Sequence, residues 1–148
     1  MMRDSACPTA FRRKYGRGAW GFSLIELMMV VAVLAVLAVI AVPAYLEHID
    51  RSRRVDAMNA LFAISERLES CYGEARRFNA GVCTPTFPMD STEGHYVITA
   101  TVTSDTYALV ATPVGSQLNR DGERCATMSL DHLGRRSATG TLGDGCWR

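Results

Sequence analysis

The sequence predicts an α+β fold in which one long N-terminal helix, first apolar and then amphipathic, packs on a C-terminal antiparallel β-sheet of about four strands. Three observations predict it. Leu27 to Leu46 is a run of twenty residues without a charge. From Tyr45 to about Tyr72, apolar residues recur at three- and four-residue steps, the period of a one-faced helix. From His95 onward, short runs rich in β-branched and aromatic residues alternate with turn-forming residues. Hairpins that follow a long helix bury their apolar face by laying that helix across one side of the sheet.

The first segment reads GFSLIELMMVVAVLAVLAVIAVPAYL from Gly21 to Leu46. Twenty helical residues at about 1.5 Å each span a hydrocarbon layer of about 30 Å. The apolar residues surround the helix, so it belongs in lipid or among other helices. Glu26 breaks the pattern, and an ionised side chain there is expensive unless it finds a partner. Nearby residues within the run offer no Lys or Arg. Upstream, Arg3, Arg12, Arg13, Lys14 and Arg17 stand against one acid, Asp4. Basic residues beside an apolar helix stay cytoplasmic, so the rest of the chain faces outward.

A secretory signal has a shorter apolar core, about 7–15 residues, and is cut after it. Here the small residue, Gly21, precedes the apolar run. A cut after Gly21 would remove the basic leader, keep the helix and create an α-amino group on Phe22, four residues before Glu26. That spacing puts amine and carboxylate on one helix face, or lets the amine reach Glu26 of an axially offset copy. With a reference pKa of about 8, the amine is a cation and supplies the missing counter-charge.

These residues resemble the class III prepilin signal of type IV pilins and the related type II secretion pseudopilins. Gly21, Phe22 and Glu26 match its glycine before the cut, apolar aromatic after it, and glutamate as fifth mature residue. Pro43 stands where the family has a helix-interrupting proline, and Ala35 where it often has a glycine. The resemblance implies a prepilin peptidase that cuts after Gly21 and methylates the Phe22 amine. It further implies residence in inner-membrane lipid with the N-terminus cytoplasmic. The inner-membrane pilus assembly machinery would then draw the chain into a helical filament of other pilin subunits, an extracellular pilus. The expected layout is a leader over 1–21, a membrane and filament-core helix over 22–46, and an outward head over 47–148. The head divides into an amphipathic helix half (47–72), a loop (73–94) and a sheet (95–148).

Composition agrees with one small domain plus an anchor. Sixteen basic and fifteen acidic residues give the full 148-residue chain a charge of +1; without the leader, eleven basic residues face fourteen acidic ones, and no lysine remains. A mildly acidic mature chain argues against a strong non-specific grip on nucleic acid. Cys7 leaves with the leader, whereas Cys71, Cys83, Cys125 and Cys146 fall in the compartment where disulfides persist. Four cysteines allow three pairings and sequence alone does not select one. Local pairing, Cys71 with Cys83 and Cys125 with Cys146, closes short loops and is the expectation. A metal site using His95 or His132 is the alternative, and no CxxC spacing supports it.

Beyond Pro43, which removes a helix hydrogen bond, Ala57, Leu61, Ile64, Leu68 and Cys71 make an apolar stripe widened by Val55, Met58 and Phe62. Arg51, Arg53, Arg54, Asp56, Glu66, Arg67 and Glu69 are expected mostly on the solvated side. Gly73 is the expected stop. Gly73, Gly81, Pro85, Pro88 and Gly94 mark a loop. Strands follow at His95–Val102, Thr106–Thr112, Cys125–Leu130 and Arg135–Thr139, with 116–124 a turn-rich connection and DHLG (131–134) a hairpin turn. NRDGE supplies too few oxygens for a calcium loop of EF-hand type.

The stretch TYALVATPVGSQLNRDGERCATMSLDHLGRRSATG and the later Cys146-Trp147 pair resemble the PilE-like minor pilins. In that class the last two cysteines are bridged, which fits Cys125 with Cys146. No nucleophile–histidine pair, phosphate loop or metal spacing is visible, so neither enzyme chemistry nor a cofactor is expected. The sequence is therefore read as a minor structural subunit of a type IV pilus. Two alternatives accompany this reading. One is a DNA-binding minor pilin of an uptake system, using Arg76, Arg77, Arg120, Arg124, Arg135 and Arg136. The other is a type II secretion pseudopilin, less favoured because its usual calcium-binding loop lacks a counterpart here.

Overall fold

The computed structural model describes residues 21–148. The expected leader, with its basic residues and Cys7, lies outside the described residues except for Gly21. Helix α1 runs over Leu24–Ala75. It is followed by β1 (Met89–Asp90), β2 (Tyr96–Val102), β3 (Tyr107–Pro113), helix α2 (Gly115–Asp121), β4 (Thr127–Asp131), β5 (Arg136–Thr139) and a 3-10 turn over Gly143–Trp147.

The chain divides into two compact units, Met1–Val39 and Ile40–Arg148. In the first, every described side chain is exposed. An 18-residue window of helix α1 has a mean hydropathy of 3.0, and the helix is long and apolar enough to cross a membrane.

In the second unit, the sheet is an antiparallel meander in the order β1-β2-β3-β4-β5. Tyr96 pairs with Pro113 and Val102 with Tyr107; Ala108 pairs with Asp131, and Thr127 with Thr139. The period-two alternation of strands sends Tyr107, Leu109 and Ala111 of β3 into the core, together with Tyr96, Ile98, Met128 and Leu130. Against them lie Ala57, Leu61, Ile64 and Leu68 of α1. Each buried Leu or Ile contributes about 2 kcal/mol. Disulfides join Cys71 to Cys83 and Cys125 to Cys146, with Cα separations of 5.6 and 5.9 Å.

Several expectations are corrected. The sheet has five strands, because Met89–Asp90, inside the expected loop, pairs with Ile98 and Val97. Two residues that directly follow Pro88 are too few to carry a periodicity that a sequence reading can detect. The helix passes Gly73 and ends at Ala75, where Arg76 takes the left-handed conformation (φ 56°) that glycine usually supplies. Pro43 lies inside α1, so the expected break is a missing backbone hydrogen bond and not an interruption. The turn-rich connection contains α2, whose Gln117 and Asp121 are fully buried.

The largest correction concerns charge. Arg54 and Asp56, expected on the solvated side, are buried with 4 and 5 % exposure, and so is Asp50, which carried no expectation from sequence, with 6 %. Asp50 and Arg54 continue the stripe formed by residues 57, 61, 64, 68 and 71 at the same three- and four-residue steps. Sequence polarity hid them, while their position put them inside.

Candidate functional site

At the N-terminal end of α1, the helix begins one residue after Ser23, and the amides of Glu26 and Leu27 both donate to the Ser23 carbonyl, at 3.1 and 3.2 Å. Glu26 therefore occupies the first turn, where backbone N–H groups lack partners and a carboxylate complements the helix dipole. The S-x-x-E spacing of Ser23 and Glu26 is a helix-start signal that the reading of Glu26 as a lone acid overlooked. Phe22 precedes the helix. In this conformation Phe22 therefore lies just outside the helix whose first turn holds Glu26. Among the described residues, no basic side chain is ion-paired with Glu26.

In the second unit, the six arginines singled out as a nucleic-acid patch are distributed over three places. Arg76 and Arg77 are exposed at the C-terminal end of α1. Arg120 and Arg124 meet the helix near its residues 46–50. Arg120 donates to the Leu46 carbonyl at 3.1 Å, and its Nε lies 2.9 Å from Asp50 Oδ1. That contact is close enough for charge attraction, but not aligned as a hydrogen bond, and among the described residues Asp50 Oδ1 finds no hydrogen-bond donor. Arg124 pairs with Glu47 at 3.1 Å. The third place is the β4–β5 hairpin. There Arg135 pairs with Asp131 at 2.6 Å, and the Arg136 guanidinium lies 4.9 Å from the Phe62 ring centre and 5.6 Å from that of Trp147. Leu46 and Ala75 of α1 are about 44 Å apart at 1.5 Å per residue, so Arg76 and Arg77 stand far along the helix from Arg120 and Arg124.

A polar network missed by sequence reasoning ties α2 to α1. Arg54 donates from Nε and Nη2 to both Asp121 oxygens, each at 2.6 Å. Gln117 Nε2 donates to Asp121 at 3.2 Å and to the Tyr96 hydroxyl at 3.3 Å. Burial pushes the Tyr96 phenol up to about 12, and the Gln117 hydrogen bond only partly opposes this. The Asp121 hydrogen bonds and charge raise the Arg54 pKa above its ordinary value despite burial. On the same helix, Asp56 accepts from the Ser91 hydroxyl at 2.5 Å and from the Glu93 amide at 3.1 Å, anchoring the segment before β2.

Two clefts are relevant. One of about 490 Å³ lies over β3–β5, lined by Ala108, Ser129, Ser137 and the Asp131–Arg135 pair. Its hydroxyls pair with each other, as Ser129 does with Ser137 at 2.7 Å. A smaller one of about 220 Å³ is lined by Glu47, Arg51, Arg54, Arg124, Leu142, Gly145 and Arg148. Four guanidiniums among seven residues make it cationic. Arg51 and Arg148 were not singled out by sequence because the tertiary fold alone brings them to Arg124. No cluster of three or more metal-ligating side chains occurs among the described residues.

Residues 43–129 match a family model described as type IV minor pilin ComP, DNA uptake sequence receptor. Among solved structures, the chain is similar to a type IV pilin from Shewanella oneidensis. The two share 29 % identity over 59 % of this chain and 89 % of that one, with a TM-score of 0.44. It is also similar to the Neisseria meningitidis non-core minor pilin PilV, at 22 % identity over 63 % of this chain and 89 % of that one, TM-score 0.47. Comparison with curated protein sequences gives no match.

Proposed function

This chain belongs to the ComP family of type IV minor pilins, and from that premise we propose that it is made as a prepilin, cut between Gly21 and Phe22 and methylated on the new Phe22 amine. Such a subunit is structural and interacts with other pilins in a pilus. In the proposed cycle, residues 1–21 are the cytoplasmic leader, 22–46 hold the chain in the inner membrane, and 47–148 form the outward head. Prepilin peptidase processes the chain, and the inner-membrane machinery moves it into the filament, where it supports assembly. The observation carrying this reading is the stretch from Leu24 to Val39, apolar and exposed on all sides, with Glu26 as its only charge. Only lipid or other such helices cover that surface.

Within the filament, Glu26 pairs with the Phe22 amine of the same or a neighbouring subunit. A low dielectric strengthens that attraction and raises the penalty for an unpaired carboxylate. Glu26→Ala is expected to leave cleavage after Gly21 largely intact and to impair incorporation. Immunoblots of sheared filaments test it: normal incorporation of the variant would sink the pairing.

The family description favours a second reading, recognition of DNA by the head. Among the described residues, Arg76 and Arg77, exposed beyond α1, and Arg136, stacked on Phe62 and Trp147, are the arginines of that set without an acidic partner. Neutralising phosphates makes binding fall steeply with salt. Salt-sensitive duplex binding by the full chain in detergent, reduced by Arg76→Gln with Arg77→Gln, would support it. Salt-independent binding, or none, would exclude it.

A further inference from the structure

Arg120 and Arg124 reach back to the end of the apolar run, Arg120 to the Leu46 carbonyl and Arg124 to the Glu47 carboxylate. Beside them, Arg51 donates to the Arg148 carbonyl at 3.1 Å, and Arg53 to the Ser116 hydroxyl at 3.1 Å. Within this same unit, Ile40, Val42, Tyr45 and Leu46 are exposed apolar side chains. The chemistry thus changes from hydrocarbon-like to cationic within two helical turns.

From this juxtaposition we propose that the arginine belt of Arg51, Arg120, Arg124 and Arg148 docks on the phosphates of anionic lipid headgroups at the outward bilayer face. The proposal rests on the membrane reading of the apolar helix. Depth supports it. Each interfacial layer is about 5–8 Å thick outside a 30 Å core. Arg51, five residues beyond Leu46, sits about 7.5 Å along the axis. Arg120 and Arg124, although 74 and 77 residues away from their helix partners in sequence, contact the first two residues of that boundary. Charge also favours it. Six arginines gather here (Arg51, Arg53, Arg54, Arg120, Arg124, Arg148) against Glu47, Asp50 and Asp121. Arg54 is consumed by Asp121, and Arg120 and Arg124 face Asp50 and Glu47 at the partly exposed edge; Arg51 and Arg148 line the same open cleft and have no acidic side-chain partner among the described residues. Planar guanidiniums form paired hydrogen bonds to phosphate oxygens. A head held this way is in place on the membrane before extraction and releases its lipids as the helix leaves.

The test uses the full chain in nanodiscs of phosphatidylcholine, with and without phosphatidylglycerol, read by hydrogen exchange of amides 47–54 and 118–124. Phosphatidylglycerol should slow exchange there by roughly fivefold for each engaged arginine, the equivalent of about 1 kcal/mol. High salt should reverse the gain. Arg51→Gln with Arg124→Gln should lose it, and Arg51→Lys with Arg124→Lys should keep most of it. Exchange across residues 107–111 reports whether each variant is folded. If the glutamine pair unfolds, the salt reversal in the unaltered chain decides. Equal exchange in both discs overturns the proposal. So does equal protection in phosphatidylcholine discs by added duplex DNA, which would mark a nucleic-acid surface. Protection by inorganic phosphate alone overturns it as well, marking a free-anion cleft. A chain that fails to float with the discs overturns the membrane reading itself, a different result from a floating chain with no lipid response.

Discussion

The Arg54 guanidinium holds both oxygens of the Asp121 carboxylate at 2.6 Å, with side-chain exposures of only 5 and 0 %. This pair pins α2 to α1. Removing one partner of a buried ion pair leaves the other charged and unsolvated, at about 3–5 kcal/mol. Asp121→Asn is therefore expected to lower the thermal midpoint sharply in circular dichroism, and Arg54→Leu with Asp121→Leu to recover much of the loss. A variant Asp121→Asn as stable as the parent would show that the pair does not hold α2.

Alkaline pH should loosen the same region. The Tyr96 phenol is raised from 10.0 to about 12 by burial. The folded state thus favours the protonated phenol, and that stability is complete below pH 10 and lost as pH rises through 12. Tyr107, also raised chiefly by burial, acts in the same direction. Unfolding midpoints should fall over that window. Tyr96→Phe should flatten the fall, and an unchanged slope would count against it.

Acid should act at the β4–β5 hairpin. Burial pushes the Asp131 carboxyl up, but hydrogen bonds from the Arg135 side chain and the Arg135 and Leu133 amides outweigh it. The group is held below its ordinary 3.8. Its contribution is present above the unfolded pKa and lost as pH falls through the lower folded one. The Leu133 and Arg135 amide resonances should move together below about pH 4, and Asp131→Asn should abolish the titration.

Gly140 and Gly134 both have positive φ, 116° and 72°, but differ in surroundings. A Cβ on Gly140 would lie 2.4 Å from the Arg124 carbonyl oxygen, whereas one on Gly134 would meet nothing within 4 Å. Gly134→Ala is expected to cost about 1 kcal/mol of backbone strain. Gly140→Ala should cost clearly more, because the strand must also move away from Arg124. Urea titrations that rank the two equally would refute the packing argument.

Reduction tests the bridges. Cys125 and Cys146, 21 residues apart, tie the final 3-10 turn to the segment before β4. Loop-closure entropy assigns such a bridge about 3 kcal/mol. Cys146→Ser should lose roughly that and free Trp147 from its 2.9 Å hydrogen bond to the Ser137 carbonyl, visible as a shift in tryptophan emission.

Much was legible in the chain because it depends on local composition. A charge-free run long enough to span lipid, a three-and-four stripe from Ala57 to Cys71, and alternating strands with DHLG between two of them all declare themselves through short-range periodicity. The α+β class, the apolar helix and the strand sequence followed from these patterns. Tertiary structure decided which charges are inside. Asp50 and Arg54 lie on the stripe's own spacing, yet a charge can be buried only if a partner arrives, and Asp121 arrives from 67 residues away. It also separated six arginines into three places and brought Arg120 and Arg124 to Leu46 and Glu47. Periodicity reports the face a residue occupies; the fold alone determines which distant group meets it there.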